Sequence, residues 1–289
     1  MKVQSLLFFA ILTSLLAFGC NNKTSRPEEN SVSFDTVSVD TVCRLNPDQQ
    51  QPVCHLHICL ARPVEAHGEV NIPAIEAFIV NMVKQGAFAS AADLRLEKLI
   101  PLYTDNYIEQ YRKEGNDLLA NYTEQPQEAY KWLSFEERVE GKPLFNQFDF
   151  LSYQIVTGTY TGGAHEETMT KVSVLDLKTL FPLTLLDLFD LDVLPMVNEI
   201  IQQQLVKDYG CKTIEELGNY FLDPATIVAT ENFFIDQRGI IWMYDPYEIA
   251  PFAMGTIRVS VPWTDVRSLL LPDSPVIRIA DFGKPQNQD

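Results

Sequence analysis

The sequence predicts an α+β fold, antiparallel sheets packed with helices. Three observations carry that prediction. Apolar residues recur at helical spacing in some segments and alternate at period two in others. The two kinds of segment come in blocks rather than in the regular strand-helix alternation of a parallel βαβ fold. Gly, Pro, Asn and Asp separate the β-rich runs at short intervals, as hairpins require.

The chain of 289 residues opens with Lys2 and an almost unbroken apolar run over 6–18, the pattern of a secretion signal. The run is shorter than the roughly 20 residues a membrane-spanning helix needs. Small residues at Ala17 and Gly19 precede Cys20, so residues 1–19 read as a signal peptide and Cys20 as the lipid-bearing first residue of the mature protein. Acyl chains contribute about 0.8 kcal/mol per buried methylene, enough for a lasting membrane anchor in the bacterial cell envelope. Phe18 departs from the commonest lipobox, and the alternative is ordinary secretion with a free Cys20. Residues 20–51 are polar and rich in Asn, Ser, Thr, Asp, Gln and Pro, and are expected to form a flexible tether.

Two parts are expected beyond the tether, over 52–157 and 158–275, followed by a tail over 276–289. In 53–60, Cys54, Leu56, Ile58 and Leu60 alternate with His55, His57 and Cys59, a half-buried strand. Residues 71–84 place Ile72, Ile75, Phe78, Ile79, Met82 and Val83 at helical spacing, with Pro73 tolerated in the first turn. A second helix is expected from a Ser90 cap through Leu94, Leu99, Tyr103, Tyr107 and Tyr111, bent or broken at Pro101 and ending near Gly115. Residues 130–139, 145–159 and 168–177 read as an antiparallel meander. Helical spacing returns over 185–189 and 193–209, with a third short helix over 213–220 capped by Thr213 with Glu216. Segments 232–236 and 240–244 flank Gln237, Arg238 and Gly239 as a hairpin, and a strand over 256–261 and a helix over 264–271 follow.

The formal net charge of −17 is made more negative by loss of a leader that carries Lys2. Such a chain repels nucleic acid and attracts cationic partners, chiefly through association rate; the bland reading is that the acid excess only maintains solubility. Beyond Cys20 stand Cys43, Cys54, Cys59 and Cys211. In an oxidising compartment they can pair in several ways, or form one local bridge among the first three and leave buried thiols.

Three motifs stand in order: Thr161-Gly162-Gly163-Ala164-His165, Leu183-Thr184-Leu185-Leu186-Asp187-Leu188-Phe189, and Asp245-Pro246-Tyr247-Glu248-Ile249-Ala250-Pro251-Phe252. Together they resemble the C-terminal domain family of RsiV-type anti-sigma factors. The stretch over 53–151 is similar to the companion N-terminal domain of those proteins and of some peptidoglycan deacetylases. The resemblance implies an α+β extracytoplasmic module, with lysozyme as the partner of the anti-sigma members. An internal transmembrane helix, a sigma-binding segment and a deacetylase domain are not expected in this sequence, so neither the anti-sigma nor the deacetylase activity carries over.

Each chemical candidate has a structural alternative. His165, with Glu166, Glu248 or Asp245, could act as a general base or a ligand; alternatively Gly162 and Gly163 make a tight turn of positive φ that His165 braces. Tyr247, Phe252 and Trp263 could present an aromatic surface, or pack beneath their loop. His55, His57 and Cys59 share a strand face and could bind zinc, or simply face solvent. Asp187, Asp190 and Asp192 suit helix starts as well as a cation. No nucleophile-elbow, phosphate-loop or zinc-protease motif occurs, and neither metal nor cofactor is expected. The leading expectation is a non-enzymatic envelope lipoprotein that binds an extracytoplasmic protein, such as one of lysozyme type, or a cell-wall component. The alternative is a cell-wall hydrolase using His165 with Glu166 or Glu248.

Overall fold

A computed structural model describes residues 32–46, 48, 50, 52–65, 71–84, 94–122, 129–130 and 132–282. The expected signal peptide, Cys20, the first part of the tether and the Ser90 cap lie outside the described residues. Among the described residues, no helix is long and apolar enough to cross a membrane.

The polar stretch read as tether contains the first strand, β1 (Ser33–Arg44), paired antiparallel with β2 (Val53–Glu65). Composition concealed it. Val37, Val39 and Cys43 lie on one period-two face that packs against the first core, while Ser38, Asp40 and Val42 face out. The sheet continues through β3 (Phe135–Gln147), β4 (Phe150–Tyr160) and β5 (Glu167–Asp176) in the order β1-β2-β3-β4-β5. β2 and β3 run parallel, so the sheet is mixed. The expected break after residue 139 is also displaced: β3 runs through Pro143, and the chain reverses at Phe148 and Asp149, both at positive φ. Two adjacent left-handed residues form the kind of tight reversal that matches strand twist.

Helices α1 (Ile72–Val83) and α2 (Leu96–Asn121) cover one face of this sheet. Asn71 caps α1 by accepting from the Ala74 N–H at 3.2 Å. The cap of α2 is tertiary. Buried Glu76 of α1 accepts from the Leu96 N–H at 2.9 Å and from Arg95 at 2.6 Å. Pro101 does not break α2, because it stands near the start of a 26-residue helix and removes a single internal donor. Gly115 does not end it either: there the helix crosses the Leu45 side chain, which a Cβ would meet at 2.6 Å. Tyr103, Tyr107 and Tyr111 form one stripe of α2 and donate their hydroxyls to Glu137, to the His55 carbonyl at 3.2 Å and to the Leu133 carbonyl at 3.0 Å.

A second sheet, β6 (Phe233–Ile235), β7 (Gly239–Tyr244) and β8 (Ile257–Pro262), is fully antiparallel. Its β6–β7 turn is the expected hairpin, closed by the Asp236 carboxylate accepting from Arg238 N–H at 2.7 Å and Gly239 N–H at 3.1 Å. Helices α3 (Leu185–Leu188), α4 (Leu194–Asp208) and α5 (Trp263–Val266) contribute Leu188, Val197, Ile201, Leu205 and Val266 to a core around Trp242. The segment expected as a third helix is a 3-10 turn over Glu215–Asn219, with Thr213 accepting from the Glu216 N–H at 3.4 Å.

A boundary at 157/158 does not separate two cores. On the β4–β5 hairpin, Leu151, Tyr153, Ile155 and Leu175 face the helices, whereas Phe150, Val172 and Val174 face the second core. The expected tail also begins too early. Val276 and Ile279 are buried, and α6 (Ile277–Ala280) is tied back by the Arg278–Asp149 ion pair at 2.5 Å and by Phe282 against Phe148.

The outer edge of β5 is joined to the second sheet by side chains. Asn232 accepts from the Val172 N–H at 2.8 Å and donates to the Thr170 and Met243 carbonyls at 2.8 and 3.1 Å. Asp245 accepts from the Thr170 N–H at 2.8 Å. An amide side chain thus supplies the ladder bonds that an edge strand otherwise leaves open.

Candidate functional site

Two of the sequence motifs meet at the end of this junction. The first is the β4–β5 loop. Gly162 has φ +86 there, and a Cβ at that position would lie 2.4 Å from the Trp132 carbonyl oxygen. Gly163 has no positive φ and nothing nearer than 3.9 Å, so only one of the two glycines is conformationally required. The loop is held on the sheet by the Glu166–Arg138 ion pair at 3.1 Å, which lies across Gly158, where a Cβ would meet the Glu166 carboxylate.

The second is the loop leaving β7. Asp245 anchors it to β5 through the Thr170 N–H, and burial raises the Asp245 carboxyl above its ordinary range. Glu248 accepts from the Asp245 N–H at 2.9 Å and closes the turn. Tyr247 has φ 70, a strained value for a side chain of its size, and the residue is 61% exposed. Ile249 is buried and its carbonyl accepts from Leu222 N–H at 2.9 Å, so the base of the loop is fixed while its tip is presented.

The His165 ring stacks on Phe252 with centroids 3.7 Å apart and planes 20° from parallel, and Tyr247 lies 5.6 Å from Phe252. Together with Thr161, Met169 and Asp245 they line an open cleft of about 490 Å³. His165 Nδ1 lies 3.2 Å from the Glu166 carbonyl oxygen, and among the described residues no carboxylate is hydrogen-bonded to the ring. The acids named with it are committed elsewhere: Glu166 to Arg138, Glu248 and Asp245 to backbone N–H groups. What this arrangement offers a ligand is a row of π faces with a hydroxyl and an imidazole at the rim. Met169 was missing from the sequence-predicted set of cleft-lining residues, and Asp245, expected as an acid beside His165, instead anchors its loop to β5. Asp245 carried a signal, since an acid leaving a buried strand needs a donor, but its partner Thr170 is far away in sequence.

The other candidates separate. Trp263 is buried, with its Nε1 donating to the Asp236 carbonyl at 3.1 Å, and belongs to the core. Asp187 accepts from the Thr184 N–H and hydroxyl at 2.7 Å each, and Asp190 from the Asp192 N–H at 3.3 Å, so both serve as caps. His55, His57 and Cys59 do lie on the outward sheet face; His57 Nδ1 is 2.6 Å from Asp40. Among the described residues, no group of three His, Cys, Asp or Glu is placed to hold a metal.

Comparisons with known proteins give likenesses of sequence and of fold. Residues 186–264 match the family described as "Protein of unknown function (DUF3298)". A crystal structure of a DUF3298 member from Bacteroides fragilis superposes with TM-score 0.77 at 27% identity, covering 88% of this chain and 98% of that one. A DUF3298 protein from Pseudomonas aeruginosa has TM-score 0.55 at 12% identity over 84% of this chain and 96% of its own, a likeness of fold alone. The immunogenic proteins MPB64 of Mycobacterium bovis and MPT64 of Mycobacterium tuberculosis are 34% identical over 111 residues, 38% of this chain. That match spans 47% of the length of these curated relatives.

Proposed function

We propose that this chain, which carries a DUF3298-family domain, is a non-enzymatic binding module of the bacterial cell envelope, held to a membrane through Cys20. Its recognition surface is the cleft of His165, Tyr247 and Phe252, and its partner is a cationic extracytoplasmic protein of lysozyme type. The observation that supports this most is the pair of exposed rings, His165 and Tyr247, set about half-buried Phe252 on a rigidly braced loop, with the neighbouring acids spent on bracing. The net charge of −17 favours a cationic partner through long-range attraction that salt screens.

Titration of lysozyme into the purified protein across a salt series tests the reading. Binding should weaken steeply with salt, and Tyr247→Ala should weaken it roughly tenfold or more, as loss of an aromatic anchor does, at unchanged melting temperature. No binding at low salt removes the lysozyme-type partner, and binding indifferent to Tyr247→Ala removes the cleft. A second reading, cell-wall hydrolysis with His165 as base and Glu166 or Glu248 as its acid partner, draws on the openness of His165. Turnover of purified peptidoglycan that is lost in His165→Ala would replace the first reading with this one.

A further inference from the structure

Of the cysteines among the described residues, Cys43, Cys54 and Cys59 lie on β1 and β2, while Cys211 packs against the second core. Cys43 and Cys54 are directly opposite each other in the antiparallel β1–β2 ladder, and both are buried on the inner face beneath α2. Cys59 is opposite Ser38 and points to the other face, so it cannot reach either of them. Directly opposed residues in an antiparallel pair have Cα atoms about 4.5–5.5 Å apart, inside the roughly 4.4–6.8 Å window that a disulfide spans. The strand register has therefore already brought the two backbones to bridging distance.

We infer that Cys43 and Cys54 form the protein's structural disulfide after export, clipping the edge strand β1 to the body of the sheet, with Cys59 and Cys211 left as thiols. This rests on the envelope location proposed above, because disulfides persist only where the compartment is oxidising. The two sulfurs are not equivalent. The Arg112 guanidinium donates to the Cys43 sulfur at 3.3 Å. The Cys54 thiol is pushed up to about 12 by burial and then by the Cys43 sulfur beside it. While β1 is undocked either thiolate can attack first, Cys43 for example. It displaces one thiolate from a disulfide oxidant and forms a mixed disulfide. Cys54 then gives up its proton and attacks the Cys43 sulfur, expelling the second thiol of the oxidant. Two protein thiols are oxidised and one oxidant disulfide becomes two thiols. Because both sulfurs are buried, the exchange occurs before β1 has docked under α2 or when it opens.

The strand gains by it. β1 is an edge strand whose preceding residues lead toward the proposed anchor, and it pairs with β2 alone in the sheet order. A covalent clip beside the connection to β2 fixes the register of the pair and restricts how far β1 can open.

The test is refolding of the reduced, denatured full chain with oxidised glutathione, followed by alkylation of free thiols and peptide mapping. The expected product links Cys43 to Cys54, with Cys59 and Cys211 alkylated or carrying glutathione. Since Cys54 and Cys59 share a tryptic peptide, the Cys59→Ser variant must give the same link. Reduction should lower the melting temperature by roughly 5–10 °C, and Cys43→Ser should match the reduced wild type. Full alkylation of Cys43 and Cys54, or their pairing with Cys59 or Cys211, overturns the assignment. Should Cys43→Ser not fold, the thiol map of the wild type still decides. Acid-quenched cells distinguish the two readings: a pair that oxidises with glutathione but is wholly reduced in cells overturns the export reading and leaves the pair assigned.

Discussion

Glu137 shows how one residue departs from its pattern. By alternation it belongs to the inner face of β3, a position for an apolar side chain, and it is accommodated only because Tyr103 of α2 donates its hydroxyl to it. Burial raises its carboxyl above the ordinary value, and the tyrosine bond offsets part of that. The folded state therefore binds this proton more tightly than the unfolded state. The stability it contributes is complete below the unfolded value of about 4.3 and is lost as pH rises through the higher folded value. Glu137→Gln should consequently stabilise the protein measurably at pH 7 and much less at pH 4. Urea unfolding at the two pH values measures the difference; equal effects at both would show that ionisation is not the cause. Periodicity revealed the face of β3, but the tolerance of an acid on it depends on a tyrosine that sequence could place only on a helix stripe.

Among the elements, β5 is the most dependent on distant residues. Its inner ladder is ordinary pairing with β4, whereas its outer edge is completed by Asn232 and Asp245 from the second sheet. Asn232→Ala removes both the acceptor for Val172 N–H and the donor to the Thr170 carbonyl. The expected loss is about 2 kcal/mol, the cost of leaving partly buried backbone groups unpaired. Hydrogen exchange should register it locally, with the Val172 amide exchanging faster relative to the amides that bond to β4. An unchanged Val172 rate would mean that water replaces the asparagine without penalty. The hydrogen-bonding role of Asn232 was not legible in sequence. An Asn beside Phe233 and Phe234 reads as a strand boundary, and nothing local reveals that its amide is bonded to a strand some 60 residues earlier. The Glu76 cap of α2 was hidden for the same reason, whereas the Asn71 cap of α1 joins residues three apart.

At the scale of the whole molecule, the β4–β5 hairpin belongs to both cores, one on each face. Division at 157/158 would leave the first core without Leu175 and the second without Phe150, so neither half should fold alone. A fragment ending at residue 157 is expected to show no cooperative thermal transition, and the intact chain a single one. A folded fragment with dispersed amide resonances would restore the two-part organisation suggested by the motif positions. The shared hairpin also explains the cleft: the 161–165 loop stands where the first sheet ends, and the 245–252 loop is tied to β5 at that point.

The sequence by itself determined the periodic elements: the β2 faces, the α1 helix, the β6–β7 hairpin, the α+β class and the residues of the two loops. These depend on spacing and on bonds between near neighbours, which a linear reading contains. Tertiary structure alone decided that a polar segment is the edge strand β1, that Glu166 and Glu248 brace loops, that Trp263 is core while Tyr247 is surface, and that Cys43 stands opposite Cys54. Each of these depends on which residues meet across the fold. Such meetings are set by strand register and by cores to which distant segments contribute, and no local pattern encodes them.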